Sequence, residues 1–161
     1  FPVSRSVEIP ALKLLWPDQM YELQRRLFYR APVPTQETVP VDIRRIASNE
    51  NDSEARLYRG HMVDLSFGGL SLMFERGQHP RWDTDEMVDC AFSLDKEGSF
   101  SLDTRLRYCE QTSPQHMRVG LQFAGLENST DGRELLDRLL GLCSRFQQAE
   151  QTRLNDGLSP I

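Results

Sequence analysis

Apolar and polar residues alternate along most of the chain, in short segments separated by polar turns. Val119, Leu121 and Phe123, for example, are two residues apart from one another, so their side chains would share one face of a strand. The same pattern recurs at regular spacing and predicts strands at residues 39–44, 57–65, 70–74, 86–94, 99–109 and 117–123. About six short strands at this spacing favour a small antiparallel β-barrel or sandwich.

The last element has helical periodicity. Thr130 or Asp131 can cap its N-terminus, and Glu134 is the acidic residue expected near a helix start. The predicted helix covers residues 131–149, and its apolar stripe consists of Leu135, Leu136, Leu139, Leu140, Cys143 and Phe146. We predict that this stripe packs on the barrel; the alternative is an interface with a second copy or a partner protein. Residues 151–161 are predicted to be a polar tail.

Prolines interrupt the pattern ahead of the first predicted strand. Pro32 and Pro34 lack a backbone N–H, so residues 31–34 are predicted to be an extended connector rather than a central strand or a helix interior. Residues 19–27 fit either a short helix or an extended linker. The strong strand pattern therefore begins only after the connector, and the barrel is placed at about residues 36–125.

Composition limits the class of protein. The chain has 161 residues, of which 39% are hydrophobic, and this suits one globular domain with a short appended segment. Its formal net charge is −5, which argues against a nucleic-acid partner because such partners favour an excess of positive charge. No apolar run approaches the ~20 residues of a membrane span. We therefore expect no membrane insertion and a cytoplasmic location.

Cysteine usage agrees with that location. Cys90, Cys109 and Cys143 are widely spaced and form no Cys-x-x-Cys pair. No Cys/His cluster has the spacing of a zinc site. We predict reduced, mostly buried thiols and no metal site.

Three arginines stand close together just before the connector. Arg25, Arg26 and Arg30 lie within six residues, and like charges at that spacing repel one another. An anion relieves the repulsion, because a guanidinium binds phosphate through a planar, bidentate fork. Arginine also pairs with the O6/N7 edge of guanine. The segment is a candidate anion site, although a solvated basic segment would have the same sequence.

A second short motif follows in a predicted turn between two strands. Asp64 can accept hydrogen bonds from the N1–H and N2–H donors of guanine, and the Ser66 hydroxyl can serve a phosphate or a base edge. Gly68 and Gly69 would allow special backbone angles and the close approach of a ligand. Alone, this motif is equally consistent with an ordinary hairpin turn.

Taken together, the two motifs resemble the PilZ family of cyclic di-GMP receptors. The family pattern is Arg-x-x-x-Arg in an N-terminal segment, followed by Asp/Asn-x-Ser-x-x-Gly on the barrel; both are present without departure. Residues 119–123 also resemble the final strand of the family. The resemblance covers roughly residues 23–146 and implies a six-stranded antiparallel barrel with a C-terminal helix, mainly β in class, within a PilZ domain at residues 21–150.

The resemblance also implies a ligand and a set of contacts. Arg25, Arg26 and Arg30 would fold over cyclic di-GMP, while Asp64, Ser66, Gly68 and Gly69 would hold a guanine from the barrel side. A basic residue at position 25 goes with an intercalated ligand dimer in the family, which suggests two stacked molecules per site. Arg107 and Tyr108 are further candidates for base contacts, with ordinary cross-strand packing as the alternative. No cofactor is implied.

The upstream sequence is similar to the junction in flagellar-brake-type proteins, where a separate β-domain precedes the PilZ domain. Residues 1–20 would then be the end of such a domain, or a linker, and we interpret the start at Phe1 as a fragment of a longer protein. Ligand binding would order the arginine segment and relay the signal to a protein partner. A flagellar motor or polysaccharide-synthesis component would fit, so that motility, biofilm or exopolysaccharide output is controlled.

Other functional classes fit the sequence less well. An enzyme could be built from Asp83, Asp85 and Glu86 with His61 or His79, but no spacing requires it, and we predict a solvated loop with no catalytic residues. A degenerate PilZ-like adaptor would not bind nucleotide and usually lacks one of the two motifs. A nucleic-acid-binding domain would show an affinity that falls steeply with salt and ignores guanine.

Overall fold

A computed structural model describes residues 28–46 and 56–157 of the chain. The predictions for residues 1–20, Arg25 and Arg26 lie outside these ranges. Within them the structure has seven strands and two helical elements. The strands are β1 (Arg30–Pro32), β2 (Pro40–Arg45), β3 (Tyr58–Ser66), β4 (Gly69–Glu75), β5 (Met87–Leu94), β6 (Gly98–Ser113) and β7 (His116–Phe123). A short 3-10 helix (Leu126–Asn128) precedes α1 (Thr130–Gly157).

Six of the strands form a closed antiparallel barrel. The order around it is β3, β2, β5, β6, β7 and β4, and β4 returns to pair with β3. The predicted barrel and its C-terminal helix are therefore confirmed. Leu65, Leu70, Leu72, Leu106 and Leu121 belong to the core, so apolar residues on alternate positions fill the barrel interior, as the sequence pattern indicated.

The connector forms a short edge strand. Residues 30–32 of β1 pair with residues 64–66 at the end of β3, beyond the residues that pair with β2. Ala31 is buried in the core, while Val33 donates its backbone N–H to Val63 O at 3.0 Å. The prolines are tolerated because β1 pairs with β3 at the edge of the sheet order, where a missing N–H costs least. This short strand holds the start of the connector against the barrel.

Helix α1 packs on the barrel through a stripe that differs from the predicted one. Leu139, Leu142 and Phe146 are almost completely buried and join the core, while Leu140 is 47% exposed. The stripe is therefore rotated relative to the prediction, which had included Leu140 and omitted Leu142. The packing interpretation is confirmed for this helix, although the choice of residues was partly wrong.

The helix is also longer than predicted. It continues to Gly157 through exposed residues that the sequence analysis assigned to a polar tail. Arg153 and Glu150 form an ion pair at 2.6 Å across one helical turn. Residues such as Glu, Gln, Arg and Leu are good helix formers without any apolar partner. The absence of an apolar stripe therefore did not mean the end of the helix.

One arginine connects α1 to two other parts of the chain. The Arg145 guanidinium donates two hydrogen bonds to the Glu37 carboxylate, at 2.5 and 3.0 Å, and its Nε lies 2.6 Å from Glu97 Oε1. Glu37 belongs to the segment before β2, and Glu97 to the β5–β6 turn. The hydrogen bonds to Glu37 raise the pKa of Arg145 above its ordinary value, so the cation persists at any physiological pH.

Replacing Arg145 by methionine is expected to lower the free energy of unfolding by about 1–3 kcal/mol, because two partly buried carboxylates then lose their shared cation. Urea denaturation measures the change. The matched control is Arg153→Met on the same helix, whose exposed pair with Glu150 is expected to matter by no more than about 0.5 kcal/mol. Equal effects of the two substitutions would contradict the connecting role of Arg145.

Candidate functional site

The strand register places the predicted site residues in two rows on the outer face of the barrel. In the first row, Arg30 pairs with Ser66, Ser66 with Gly69, Gly69 with Gln122 and Gln122 with Arg105. Residues that are directly opposite each other in paired strands have side chains on the same face of the sheet. The arginine of the first motif and the serine of the second are thereby brought together.

The second row consists of the next outward-facing residues along the same strands. Pro32 pairs with Asp64, Asp64 with Ser71, Ser71 with Gly120 and Gly120 with Tyr108. The row joins β1, β3, β4, β7 and β6. Asp64 and Tyr108, which are far apart in sequence, thus lie on one surface.

A cavity of about 350 Å³ opens over these two rows. Its lining includes the seven predicted site residues that lie in the described ranges, namely Arg30, Asp64, Ser66, Gly68, Gly69, Arg107 and Tyr108. It also includes residues that the sequence analysis did not select, namely Phe28, Leu70, Gly120, Leu121 and Gln122. The cavity therefore combines guanidinium groups, a carboxylate, a hydroxyl and aromatic rings.

The turn between β3 and β4 is held by its own hydrogen bonds. The Ser66 hydroxyl donates to the Gly69 carbonyl at 3.0 Å, and the backbone N–H of Phe123 donates to the Gly68 carbonyl at 3.0 Å. With its proton directed to Gly69, the Ser66 oxygen presents lone pairs to the cavity. In this arrangement it would accept a hydrogen bond from a ligand rather than donate one.

The prediction that Gly68 and Gly69 adopt special backbone angles was wrong, since neither has a positive φ. Gly69 is required by packing instead. A Cβ atom there would collide with the Leu121 carbonyl oxygen and the Gln122 backbone, because β4 and β7 approach closely at this point. A Cβ on Gly68 would meet the Phe28 ring at 3.0 Å.

Phe28 attaches the arginine segment to this turn. Its ring lies 5.5 Å from the Phe67 ring, at an interplanar angle of 48°, which is within the range of favourable aromatic contacts. Phe28 lies between Arg26 and Arg30 in sequence. The contact thus places the end of the arginine segment beside the Asp-x-Ser turn.

Tyr108 lies across the backbone of Gly120. A Cβ on Gly120 would collide with the phenol ring, so the absence of a side chain on β7 creates the space for this ring. The cross-strand packing that was the alternative for Tyr108 is therefore present, and its ring nevertheless lines the cavity.

Arg107 has a partner on the loop before β5. Its Nη1 lies 2.5 Å from Asp85 Oδ1, and Arg105 donates to the Asp85 backbone carbonyl at 3.4 Å. Asp85 adopts a φ of 71°, which the sequence did not indicate. Glu86 pairs with Arg45 at 2.7 Å. Asp85 and Glu86 of this loop are thus used in ion pairs, and the described residues contain no His/Cys/Asp/Glu cluster that could hold a metal.

Asp64 has a partner that the sequence analysis missed. Arg118 on β7 extends across β4 and donates from Nη2 to Asp64 Oδ2. The same guanidinium donates to the Ser71 hydroxyl from Nε at 3.2 Å and from Nη2 at 3.0 Å. Only the register could have revealed this pair, because Arg118 is 54 positions away from Asp64.

The three cysteines differ in how far they are buried. Cys90 is buried and Cys143 partly so, but Cys109 is exposed, so the expectation of mostly buried thiols was wrong for that residue. All three are free. Burial raises the pKa of Cys143 to about 11 and raises the pKa of Cys90 and Cys109 as well. At neutral pH they are therefore thiols rather than reactive thiolates.

The closed barrel carries on its outer face a cavity that is lined by guanidinium groups and hydrogen-bond acceptors, and this makes it a candidate site for a small ligand. The sequence model of the PilZ domain family matches residues 24–142 of the chain. The chain therefore belongs to the PilZ domain family, whose members are receptors for cyclic di-GMP rather than enzymes. Helix α1, the one long helix in the described part, is not apolar enough to cross a membrane.

The curated proteins that the chain resembles in sequence are flagellar brake proteins. The chain is 28% identical over 148 residues to the flagellar brake protein YcgR of Xanthomonas campestris, covering 88% of this chain and 53% of that protein. It is 26% identical over 126 residues to YcgR of Azoarcus sp., covering 76% of this chain and 48% of that protein. The chain thus spans about half the length of these relatives.

Solved structures show the same fold at lower identity. The PilZ domain of Escherichia coli YcgR with c-di-GMP has a TM-score of 0.61 and 17% identity, covering 80% of this chain and 98% of that one. The MrkH–c-di-GMP complex of K. pneumonia has a TM-score of 0.55 and 20% identity, covering 78% of this chain and 56% of that one. At these identities the likeness concerns the fold.

Proposed function

We propose that this chain is a cyclic di-GMP receptor module in which Arg25, Arg26 and Arg30 bind the ligand phosphates. The observation that carries the proposal is the strand register, which brings Arg30 and Ser66 into one row and Asp64 and Tyr108 into the next, around one cavity. A cyclic dinucleotide presents two phosphates and two bases, and the cavity offers matching groups for both.

Each group around the cavity has a role that follows from its chemistry. The guanidiniums of Arg30 and Arg107 would pair with phosphate oxygens or stack on a base. Asp64 accepts the N1–H and N2–H of guanine, and the Ser66 oxygen accepts a further base donor. Gly68 and Gly69 keep the turn free of side chains at the cavity, and Tyr108 offers a ring face for stacking.

The signal would pass through the arginine segment. We expect ligand phosphates to relieve the repulsion among its arginines and to order it against the barrel, where Phe28 and β1 already attach its end. The ordered segment then changes the surface offered to a cytoplasmic partner protein. A flagellar motor component is the proposed partner, because the curated relatives are flagellar brake proteins. A polysaccharide-synthesis component is the alternative.

Isothermal titration of the chain with cyclic di-GMP tests the receptor function, with cyclic di-AMP as the control ligand. We expect binding of cyclic di-GMP in preference to cyclic di-AMP, and a stoichiometry of two would support the stacked dimer suggested by Arg25. No heat of binding with folded protein would overturn the receptor proposal in favour of a degenerate adaptor. Trypsin cleaves after arginine, so ligand-dependent protection at Arg25 and Arg26 measures the ordering, with Arg30, already paired in β1, as the internal reference.

Replacement of Tyr108 separates stacking from packing. Tyr108→Leu is expected to weaken cyclic di-GMP binding by about tenfold or more, since base–aromatic stacking contributes about 1–3 kcal/mol. Tyr108→Phe keeps the ring and should leave affinity within about threefold of the original, because the stacking face is retained. Titration gives the affinities, and thermal unfolding of both variants reports any loss of packing over Gly120. Equal affinities for the two variants would exclude stacking on this ring.

A further inference from the structure

The pair formed by Arg118 and Asp64 occupies an unusual position. Their side chains are 27% and 12% exposed, respectively. Ser71, whose hydroxyl also accepts hydrogen bonds from the guanidinium, is buried. Among the described residues, Arg118 is the one side chain that donates to the Asp64 carboxylate. Asp64 lines the cavity, whereas Arg118 and Ser71 do not. Arg118 thus contacts the carboxylate without being part of the cavity lining.

A lone carboxylate would be unfavourable at this position. Asp64 is nearly buried, and a buried charge requires a partner of opposite charge. A cyclic dinucleotide also brings two negative phosphates to the same cavity, and these repel a nearby carboxylate. The cation of Arg118 compensates both effects without occupying the cavity. Its bond to Oδ2 also limits rotation of the carboxylate group.

We propose that Arg118 is the positioning residue that holds Asp64 as an oriented, charge-compensated acceptor, and that this makes the site selective for guanine. The inference rests on the proposed receptor function. Guanine presents two adjacent donors, N1–H and N2–H, to such an acceptor. Adenine presents a donor and an acceptor on the corresponding edge, and its N1 lone pair would face the carboxylate. Selectivity therefore depends on the acceptor oxygens of Asp64 remaining in place and oriented towards the base.

A double-mutant cycle tests the inference. Arg118→Gln, Asp64→Asn and the double variant are titrated with cyclic di-GMP and with cyclic di-AMP, and thermal unfolding of each is recorded. The matched control is Arg59→Gln, which removes another cross-strand ion pair of β3, to Asp42 at 2.6 Å. Arg59 does not line the site cavity.

We expect Arg118→Gln to weaken cyclic di-GMP binding by about tenfold or more, as removal of one partner of a buried charge pair does. Binding of cyclic di-AMP should change much less, and Arg59→Gln should change neither affinity. In the Asp64→Asn background, the loss of Arg118 should have little further effect, because Arg118 acts through Asp64. A merely structural role would instead weaken both ligands in proportion to lost stability.

Wild-type affinity in Arg118→Gln would overturn the inference, and so would equal losses from Arg118→Gln with and without Asp64. If Arg118→Gln does not fold, Arg118→Lys enters the same cycle. Lysine keeps the charge but not the forked donor, so we expect a smaller but still guanine-selective loss. Failure of the unsubstituted protein to bind cyclic di-GMP would reject the receptor function itself, which distinguishes the two failures.

Discussion

Joint replacement of Arg26 and Arg30 by alanine is expected to reduce cyclic di-GMP affinity by at least about a hundredfold. Each charge-assisted hydrogen-bonding group contributes about 1.5–3 kcal/mol, so the loss of two guanidiniums removes about 3 kcal/mol or more. Arg30 lies opposite Ser66 in the register and lines the cavity. Phe28, two residues before Arg30, contacts Phe67 of the β3–β4 turn and lines the same cavity.

The matched control removes two arginines that form surface ion pairs away from the site. Arg44 pairs with Asp89 at 2.8 Å and Arg59 pairs with Asp42 at 2.6 Å, and neither lines the site cavity. The double variant Arg44→Ala, Arg59→Ala has the same change in net charge as the test variant. Titration of both separates a specific loss of contacts from a general loss of positive charge. Comparable affinities of the two double variants would contradict the role of the arginine motif.

Replacement of Gly69 by alanine is expected to lower the free energy of unfolding by at least about 3 kcal/mol, which is the upper range for overpacking a well-packed site. The new Cβ would collide with the backbone of β7, and backbone cannot move aside as a flexible side chain can. β4 lies between β7 and β3 in the closed barrel, so the damage extends beyond the turn. Urea denaturation measures this loss.

Two other glycines provide controls for this experiment. Gly141 lies within α1 with no atom near its hypothetical Cβ, so Gly141→Ala is expected to stabilise the protein by about 0.5–1 kcal/mol. Gly68→Ala meets only the Phe28 ring and should affect stability less than Gly69→Ala. If Gly69→Ala unfolds like the original protein yet loses cyclic di-GMP, the glycine acts at the ligand and the packing explanation is wrong.

The strands and their faces were predictable because a strand leaves a two-residue period in the sequence. The six predicted strands correspond to β2–β7, with ends that differ by a few residues. β1 was predicted only as an extended connector, since two prolines mask its pairing. The end of α1 was also misjudged, because an exposed polar helix has no apolar stripe, and local helix propensity is a weaker signal than periodicity.

The candidate site was predictable only as far as its residues form local motifs. Arg30, Asp64 and Ser66 carry recognisable chemistry at short spacing, and the sequence identified them. Gly69 was identified from the motif, but its packing against β7 was not, because the close approach of that strand is not visible in the local sequence. Arg118 was missed entirely, since an isolated arginine on a strand carries no local signal.

The amino-acid sequence by itself determined the strand pattern, the C-terminal helix, the family and the two motifs. These depend on periodicity and on residues near one another in the chain. The tertiary structure alone decided which motif residues share a face, that Tyr108 lies over Gly120, and that Arg118 forms an ion pair with Asp64. These relations depend on barrel closure and on the register of paired strands. A shift of one residue in that register moves a side chain to the other face, and no local pattern encodes it.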